Sequence, residues 1–298
     1  MTLSADSFRI LNALTLRTKR SFYGTRYGSH RSLRRGHGME FAEYRNYEVG
    51  DNPRTIDWNL YGRSDKLYSK RFLEEENVAV YIIIDGSRSI THPDLAEKWE
   101  CARCIALATA YTALSSHDIV TVSVLGGATS QKFSGGRSFT GVSDFLTSQR
   151  AYFDREDVAE IDLTREVTTL AARLTFPGIC IFVSDFLYSR EKIYEMFAPL
   201  RSRNLEMHAI QILGSNDMHP TQSDDSAFLR DSETGEQQGV VLTAQTLKEY
   251  KGLLRVHNDS VRSLCLDQGS TFIQAQIIDK QSAEESAIVA VTSMGIFV

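Results

Sequence analysis

The sequence lacks the features that mark membrane-spanning and secreted proteins. No apolar run approaches the roughly 20 residues that a membrane-spanning helix needs. The first ten residues, MTLSADSFRI, lack the basic-then-apolar layout of a signal peptide. The four cysteines do not make up the disulfide framework of a secreted domain, and Cys101 and Cys104 have no second Cys/His pair for a zinc site. We therefore expect a cytoplasmic protein with no membrane span.

Charge is distributed unevenly along the chain. The net charge is −5, yet no acidic residue lies between Ser7 and Met39. The basic residues of this stretch are Arg9, Arg17, Lys19, Arg20, Arg26, Arg31, Arg34 and Arg35. Such a run is suited to nucleic acid or anionic lipid, but it lacks the aromatic residues that alternate along the strands of single-strand binders. We favour a solvated or partner-facing surface, and nucleic-acid binding through this basic N-terminus remains an alternative.

Apolar runs of strand length alternate with helical patterns from residue 76 onward. The runs are NVAVYIIIDG, IVTVSVLGG, GICIFVSD, LEMHAIQIL and TFIQAQI. Continuous apolar strands separated by helices predict an α/β fold with a doubly wound, mostly parallel sheet flanked by helices. The segment TSQKFSGG predicts a short edge strand, and AFLRDSETGEQQGVVLT predicts a hairpin with Glu233, Thr234 and Gly235 near its turn. Helical patterns also predict a C-terminal helix.

The N-terminal part has a different pattern. Residues 1–20 have the apolar spacing of a short amphipathic helix, and residues 21–38, rich in Gly, Ser and Arg, predict a loop. Residues 39–72 predict a small strand region around a turn that contains Gly50 and Asp51. We therefore divide the chain into a basic N-terminal region, 1–75, and an α/β domain, 76–298.

The loop after the first buried strand carries three oxygen-bearing side chains at alternate positions. They are Asp85, Ser87 and Ser89. A second buried strand ends at Asp185, and loops at the carboxyl ends of strands are where open α/β sheets bind ligands. Because Mg²⁺ and Ca²⁺ prefer oxygen ligands, the pattern predicts a divalent cation site with these four ligands. The alternative is that Ser87, Ser89 and Asp185 only cap turns and helices.

This loop resembles the metal-ion-dependent adhesion site of von Willebrand factor A domains. The upstream string Tyr-x-x-Gly-Asp-x-x-Arg-x-Ile-Asp-Trp is similar to that of the bacterial domain-of-unknown-function family 58. The motif residues are Arg45, Tyr47, Gly50, Asp51, Arg54, Asp57, Trp58 and Arg63. We interpret them as structural, with a salt-bridge network among Asp51, Arg54, Asp57 and Arg63, or turn formation with core packing by Tyr47, Ile56 and Trp58. Direct partner contact is the less favoured alternative.

The resemblance implies a non-enzymatic protein-interaction module in protein maturation or in stress and envelope functions. The bound cation would be Mg²⁺ or Mn²⁺, or else Ca²⁺. The implied partners are a MoxR-type AAA+ ATPase and client proteins that present an acidic residue. The chain itself has no Gly-x-x-x-x-Gly-Lys-Ser/Thr loop, so we expect no ATP hydrolysis by it.

The sequence departs from the family's adhesion site at one position. The family places a threonine ligand in a Gly-Gly-Thr-Asp-Leu-like string, but Ile161 stands at that place here. Isoleucine offers no oxygen, and Thr164 and Asp162 are the candidate substitutes.

An enzymatic alternative is a metal-dependent phosphatase with Asp85 as nucleophile. That chemistry calls for a second aspartate two residues further on, where Ser87 stands.

Overall fold

The computed structural model describes residues 3–17, 27–36, 40–48, 50–76, 78–92, 95–127, 130–153, 161–220, 227–230, 237–240, 243–278 and 282–297. The chain forms two compact units. Unit 1 comprises Met1–Thr18 and Ala79–Val298, and unit 2 comprises Lys19–Val78. The division falls close to the boundary predicted at residue 75. Residues 1–18 correct that prediction, because they belong to unit 1 rather than to the N-terminal region. Among the described residues, no helix combines the length and apolarity that crossing a membrane requires.

The elements follow the predicted alternation. The helices are α1 (Ala5–Asn12), α2 (Trp58–Ser64), α3 (Arg88–Thr91), α4 (Ala96–Ser115), α5 (Phe139–Phe153), α6 (Leu163–Arg173), α7 (Arg190–Arg201), α8 (Ser215–Met218), α9 (Ala244–Asp267) and α10 (Ala283–Thr292). The strands are β1 (Tyr27–Gly36), β2 (Glu40–Asn46), β3 (Tyr68–Glu76), β4 (Ala79–Ile84), β5 (Ile119–Val124), β6 (Gln131–Ser134), β7 (Gly178–Ser184), β8 (Leu205–Leu213), β9 (Ala227–Arg230), β10 (Gln237–Val240) and β11 (Thr271–Gln276).

Unit 1 is built on a six-stranded sheet in the order β11-β8-β7-β4-β5-β6. Each neighbouring pair is parallel except β5 and β6, which pair antiparallel at one edge. The predicted mostly parallel sheet, its short edge strand and the C-terminal helix are confirmed. Strands β9 and β10 pair antiparallel as the predicted hairpin. The turn residues predicted for it, Glu233 to Gly235, lie outside the described residues.

The sheet is covered by helices on both faces, which explains why its central strands β4, β7 and β8 are buried along their whole length. Every residue of β4 is buried. Tyr81 and its face of the sheet pack in a cluster with residues of α6, α7 and α9, including Phe197. Helix α4 contacts β4, β5 and β8 on the opposite face, where Ile82 and Val122 are fully buried. The four cysteines are buried free thiols, as expected of core residues.

The first helix belongs to unit 1 because its own contacts are there. Ser4 caps α1, and the Ser7 hydroxyl donates to Glu284 of α10 at 2.5 Å. Leu16 forms an isolated antiparallel bridge with Phe297. Helix α1 ends at Asn12, short of the predicted residue 20. These contacts join the chain's two ends, which a scan of local pattern does not detect.

Unit 2 contains a three-stranded antiparallel sheet in the order β1-β3-β2. The prediction of a loop over residues 21–38 was wrong for Tyr27–Gly36, which form β1. The pairing of β1 with β3 satisfies the backbone of a segment whose composition gives little strand signal. Most of the basic stretch between Ser7 and Met39 lies outside the described residues or is described by its backbone alone.

Candidate metal centre at the carboxyl edge of the sheet

Asp85 follows the last residue of β4 and is fully buried. Its Oδ1 accepts a hydrogen bond from the backbone N–H of Ser87 at 2.8 Å, and its Oδ2 accepts one from the Ser184 hydroxyl at 2.6 Å. The intervening Gly86 is needed for close approach, because a Cβ there would lie 2.0 Å from the carbonyl oxygen of Leu125. The Asp-Gly-Ser turn therefore holds the Asp85 carboxylate in a fixed position at the carboxyl edge of the sheet.

Besides Ser184, three further hydroxyls lie near this carboxylate. Ser87 Oγ is 3.0 Å from Ser89 Oγ. The Tyr188 hydroxyl, from the loop after β7, is 2.9 Å from Ser87 Oγ and 3.0 Å from Asp85 Oδ2. Tyr188 is not predicted from the sequence, because a tyrosine after a strand does not indicate a functional role until the fold places it beside another loop.

The electrostatic environment of Asp85 is unfavourable for its charge. Burial, and then the nearby Asp185 carboxylate, raises the pKa of Asp85 to about 6. Among the described residues no lysine, arginine or histidine forms an ion pair with Asp85. The carboxylate is therefore a buried charge held by hydrogen bonds alone, and a cation would relieve its cost.

Asp185 has a different environment, although it directly follows the neighbouring strand β7, at the predicted carboxyl edge. Its Oδ2 lies 3.3 Å from Lys98 Nζ, and its Oδ1 accepts a hydrogen bond from the Leu187 N–H. Lys98 Nζ also lies 2.7 Å from Asp217 Oδ2. Burial disfavours the charged lysine, but Asp185 and Asp217 outweigh that effect and raise the pKa of Lys98. Both carboxylate oxygens of Asp185 therefore already have partners within the fold.

The segment that departs from the adhesion-site pattern lies at the same edge. Ile161 is partly buried, and a Cβ on Gly126 would lie 2.3 Å from its Cδ1, so the two residues pack tightly. Asp162 is exposed and caps α6 by accepting the Arg165 N–H at 3.1 Å. Thr164 lies in the first turn of α6. No hydrogen bond in the described part of the chain joins Asp162 or Thr164 to Asp85 or Ser87.

The oxygens of the Asp85 loop fit a hard divalent cation. Cis ligands of an octahedral Mg²⁺ at about 2.1 Å lie about 3.0 Å apart, which is the spacing of the Ser87 and Ser89 oxygens. Within the described ranges, no three His, Cys, Asp or Glu side chains are grouped to hold a metal. Serine hydroxyls supply the remaining oxygens beside Asp85, so the candidate ligand set consists of Asp85, Ser87 and Ser89.

In unit 2, the motif residue Asp57 organises the local structure. Its Oδ1 accepts the N–H groups of Asn59 and Leu60 and so caps α2. Its Oδ2 accepts the Tyr44 hydroxyl at 2.8 Å and lies 3.0 Å from Lys70 Nζ. The hydrogen bond with Lys70 is the main reason that the pKa of Asp57 is lowered to about 2.

The predicted salt-bridge network of the motif was wrong. Arg54 and Arg63 are exposed and form no ion pair among the described residues. Asp51 accepts the Glu48 N–H at 3.2 Å, and Arg45 pairs with Glu48. The motif's charges therefore act on neighbouring backbone and side chains rather than on one another.

The remaining motif residues divide between a turn, the core and the surface. Gly50 has a φ of 111°, which confirms the predicted turn and explains the glycine. The Tyr47 N–H donates to the Leu67 carbonyl at 2.9 Å. Ile56 is buried, but Trp58 is 62% exposed, so the alternative of core packing holds for Ile56 and not for Trp58. Trp58 is the first residue of α2, and its side chain lies on the solvent-exposed side of that helix.

Together these features define an α/β protein with a hydroxyl-rich candidate site at the carboxyl edge of a mostly parallel sheet. The chain belongs to the family described as "Protein of unknown function DUF58", whose model matches residues 43–260. This match confirms the predicted family.

The chain is also similar to mycobacterial proteins that are described as uncharacterized. A protein of Mycobacterium tuberculosis (strain ATCC 25618 / H37Rv) is 25% identical over 237 residues, covering 76% of this chain and 70% of the relative. An uncharacterized protein of Mycobacterium bovis gives the same values.

Two solved structures are also similar. One is an aerotolerance-related membrane protein from Bacteroides fragilis NCTC 9343, with 14% identity, a TM-score of 0.40, and coverage of 73% of this chain and 100% of that chain. The other is the conserved hypothetical protein BatB from Bacteroides thetaiotaomicron, with 12% identity, a TM-score of 0.38, and coverage of 74% and 99%.

Proposed function

We propose that this chain is a non-enzymatic protein-interaction module that holds a divalent cation on Asp85, Ser87 and Ser89, in the manner of a von Willebrand factor A adhesion site. The observation that carries the proposal is the 3.0 Å spacing of the two serine oxygens beside a fully buried carboxylate that has no basic partner among the described residues. Mg²⁺ or Mn²⁺ suits the small spacing better than Ca²⁺, whose ligands lie at about 2.3–2.6 Å.

The bound cation would supply a positive charge with an open coordination position for an acidic side chain of a partner. Neutral serine ligands support this role, because the single Asp85 carboxylate leaves one of the cation's two positive charges uncompensated. Asp185, which the sequence predicts as a fourth ligand, is better suited to a supporting role, since Lys98 already neutralises it. The Tyr188 hydroxyl lies within hydrogen-bond distance of two of the cation's proposed ligands, Asp85 and Ser87, and would help to hold them in place.

The proposal extends to the kind of partner. Membership of the family and the resemblance to von Willebrand factor A domains support a MoxR-type AAA+ ATPase, or a client protein that presents an acidic residue. The test is biolayer interferometry between the immobilised chain and a purified MoxR-type ATPase, without nucleotide, in Mn²⁺ and in chelator. Binding that needs Mn²⁺ and is lost in Asp85→Asn supports the pairing, and binding that ignores both changes contradicts it.

The cation site itself is tested by Mn²⁺ binding, followed by the electron paramagnetic resonance signal of free Mn²⁺. We expect the wild-type chain to bind one equivalent, and Asp85→Asn and Ser87→Ala to lose it. The matched control is Asp144→Asn, which removes one carboxylate from an exposed position of α5. A cation at 100 times its Kd should also stabilise the wild type by about 2.7 kcal/mol. Equal Mn²⁺ binding by wild type and Asp85→Asn would show that the proposal is wrong.

A further inference from the structure

A second candidate site lies in unit 1, away from Asp85. A cavity of about 270 Å³ opens between α9 and the last residues of β8 and β11. Its walls include Leu213, which ends β8, and Gln276, which ends β11. The cavity therefore opens at the carboxyl edge of the sheet, the edge at which open α/β sheets bind ligands.

The cavity is lined by an excess of positive charge. Lys251, Arg255 and Arg262 lie on the face of α9 that borders it, and Asp259 is the acidic residue of the lining. The three cations are exposed, and none forms an ion pair with a carboxylate among the described residues. This local charge stands out in a chain whose net charge is −5. It favours an anionic occupant.

The floor of the cavity is a fixed network of amides. The buried Gln211 donates through Nε2 to Asn258 Oδ1 at 3.0 Å, and Gln274 Nε2 donates to Gln211 Oε1 at 2.7 Å. The same Gln211 amide donates to the backbone carbonyl of Asp185 at 2.9 Å. Asn258 and Gln274, which line the cavity, are thus held in place by hydrogen bonds to Gln211 in the absence of a ligand. A site held in this way loses less entropy on binding.

One wall of the cavity is apolar. Leu213, Met218 and Leu254 form this wall, beside the amides and the cations. The volume lies just below the range of about 300–1,000 Å³ that is usual for small-molecule sites, so a dinucleotide cofactor is too large. One or two side chains of a peptide fit.

We propose that this cavity binds an acidic peptide segment of a partner protein, with a carboxylate among Lys251, Arg255 and Arg262 and an adjacent apolar side chain against Leu213 and Leu254. The inference deepens the proposed function by giving the partner's chemistry at a second point on the same edge of the sheet. It needs no cation at Asp85.

The test is fluorescence anisotropy on the full chain, in chelator so that the Asp85 site takes no part. The probe is the labelled, end-blocked peptide Leu-Asp-Leu-Glu, and the charge-reversed probe is Leu-Lys-Leu-Lys. We expect the acidic peptide to bind, Arg255→Glu to weaken it at least tenfold, and added NaCl to weaken it further because the contact is electrostatic. The matched control is Lys248→Glu, which makes the same charge change at an exposed position of α9 outside the cavity. It should alter affinity less than twofold.

Three outcomes would overturn the inference. They are equal binding of the two peptides, equal weakening by Arg255→Glu and Lys248→Glu, and displacement of the peptide by inorganic phosphate at the peptide's own concentration, which would indicate a free-anion site. None of them bears on Mn²⁺ binding at Asp85, so failure here is distinguishable from failure of the cation proposal.

Discussion

Lys98 Nζ lies 3.3 Å from Asp185 Oδ2, and neither side chain is reached by solvent. The same ammonium group lies 2.7 Å from Asp217 Oδ2. A lysine so deeply buried is stable only when it is paired, because an isolated ion costs several kcal/mol to remove from water. The Asp185 carboxylate thus has its counter-charge within the fold, whereas the adjacent Asp85 carboxylate has none among the described side chains.

Removal of Lys98 should be costly. We expect Lys98→Met to destabilise the chain by about 3–5 kcal/mol, because it leaves Asp185 and Asp217 without their cation. Urea unfolding followed by circular dichroism measures the change. Lys248→Met, at an exposed position of α9, is the matched control and should fall within about 0.5 kcal/mol of wild type. Adding Asp185→Asn to Lys98→Met should recover part of the loss, and a double variant less stable than the single one would contradict the pairing.

The buried Asp85 should make stability depend on pH. Its pKa rises from 3.8 to about 6 on folding, so the folded chain holds this proton more tightly than the unfolded chain. The resulting contribution favours folding below about pH 4 and is lost as the pH rises through 6. In chelator, we expect the stability of wild type relative to Asp85→Asn to fall by on the order of 3 kcal/mol between pH 4 and pH 7. Urea unfolding across this range measures it, and a constant difference would contradict the raised pKa.

The sequence predicts the sheet and the Asp85 loop well because both depend on local pattern. Apolar runs such as that of β4 are buried on both faces, and a loop after such a strand must lie at the carboxyl edge. The positions of Lys98 and Tyr188 cannot be predicted from local pattern in the same way. Lys98 lies in an alanine-rich helix, where a lysine usually faces solvent, and its partner Asp185 is 87 residues away in the chain. Only the packing of α4 against the sheet brings the two together.

Trp58 departs from the alternative in which the motif's large apolar side chains pack in a core. It is 62% exposed, whereas Ile56 is 9% exposed. We expect Trp58→Ala to change the free energy of unfolding by no more than about 0.5 kcal/mol, and Ile56→Ala to cost about 2 kcal/mol or more. Urea unfolding of the two variants compares them directly. A larger loss in Trp58→Ala than in Ile56→Ala would restore the core-packing hypothesis.

Ile161 offers a test of whether the candidate metal centre lacks a ligand. It stands at the position where the resemblance implies a threonine, and its side chain packs against Gly126 beside the loop that follows β5. A threonine here would keep the Cγ2 methyl group and replace the ethyl branch, Cγ1 and Cδ1, with a shorter hydroxyl. If that hydroxyl completes the oxygen set of Asp85, Ser87 and Ser89, Ile161→Thr should bind Mn²⁺ about tenfold more tightly than wild type, or about 1.4 kcal/mol.

The control is Ile161→Val, which has nearly the shape of threonine but no hydroxyl. Both variants lose the same Cδ1 contact with Gly126, which should cost about 0.5–1.5 kcal/mol of stability in chelator, and the threonine variant should lose somewhat more because its hydroxyl is partly buried. Only the threonine variant should gain Mn²⁺ affinity, since only it adds an oxygen. If the two variants bind Mn²⁺ equally, the hydroxyl does not reach the ion. Loop geometry, rather than the missing oxygen, would then limit the site.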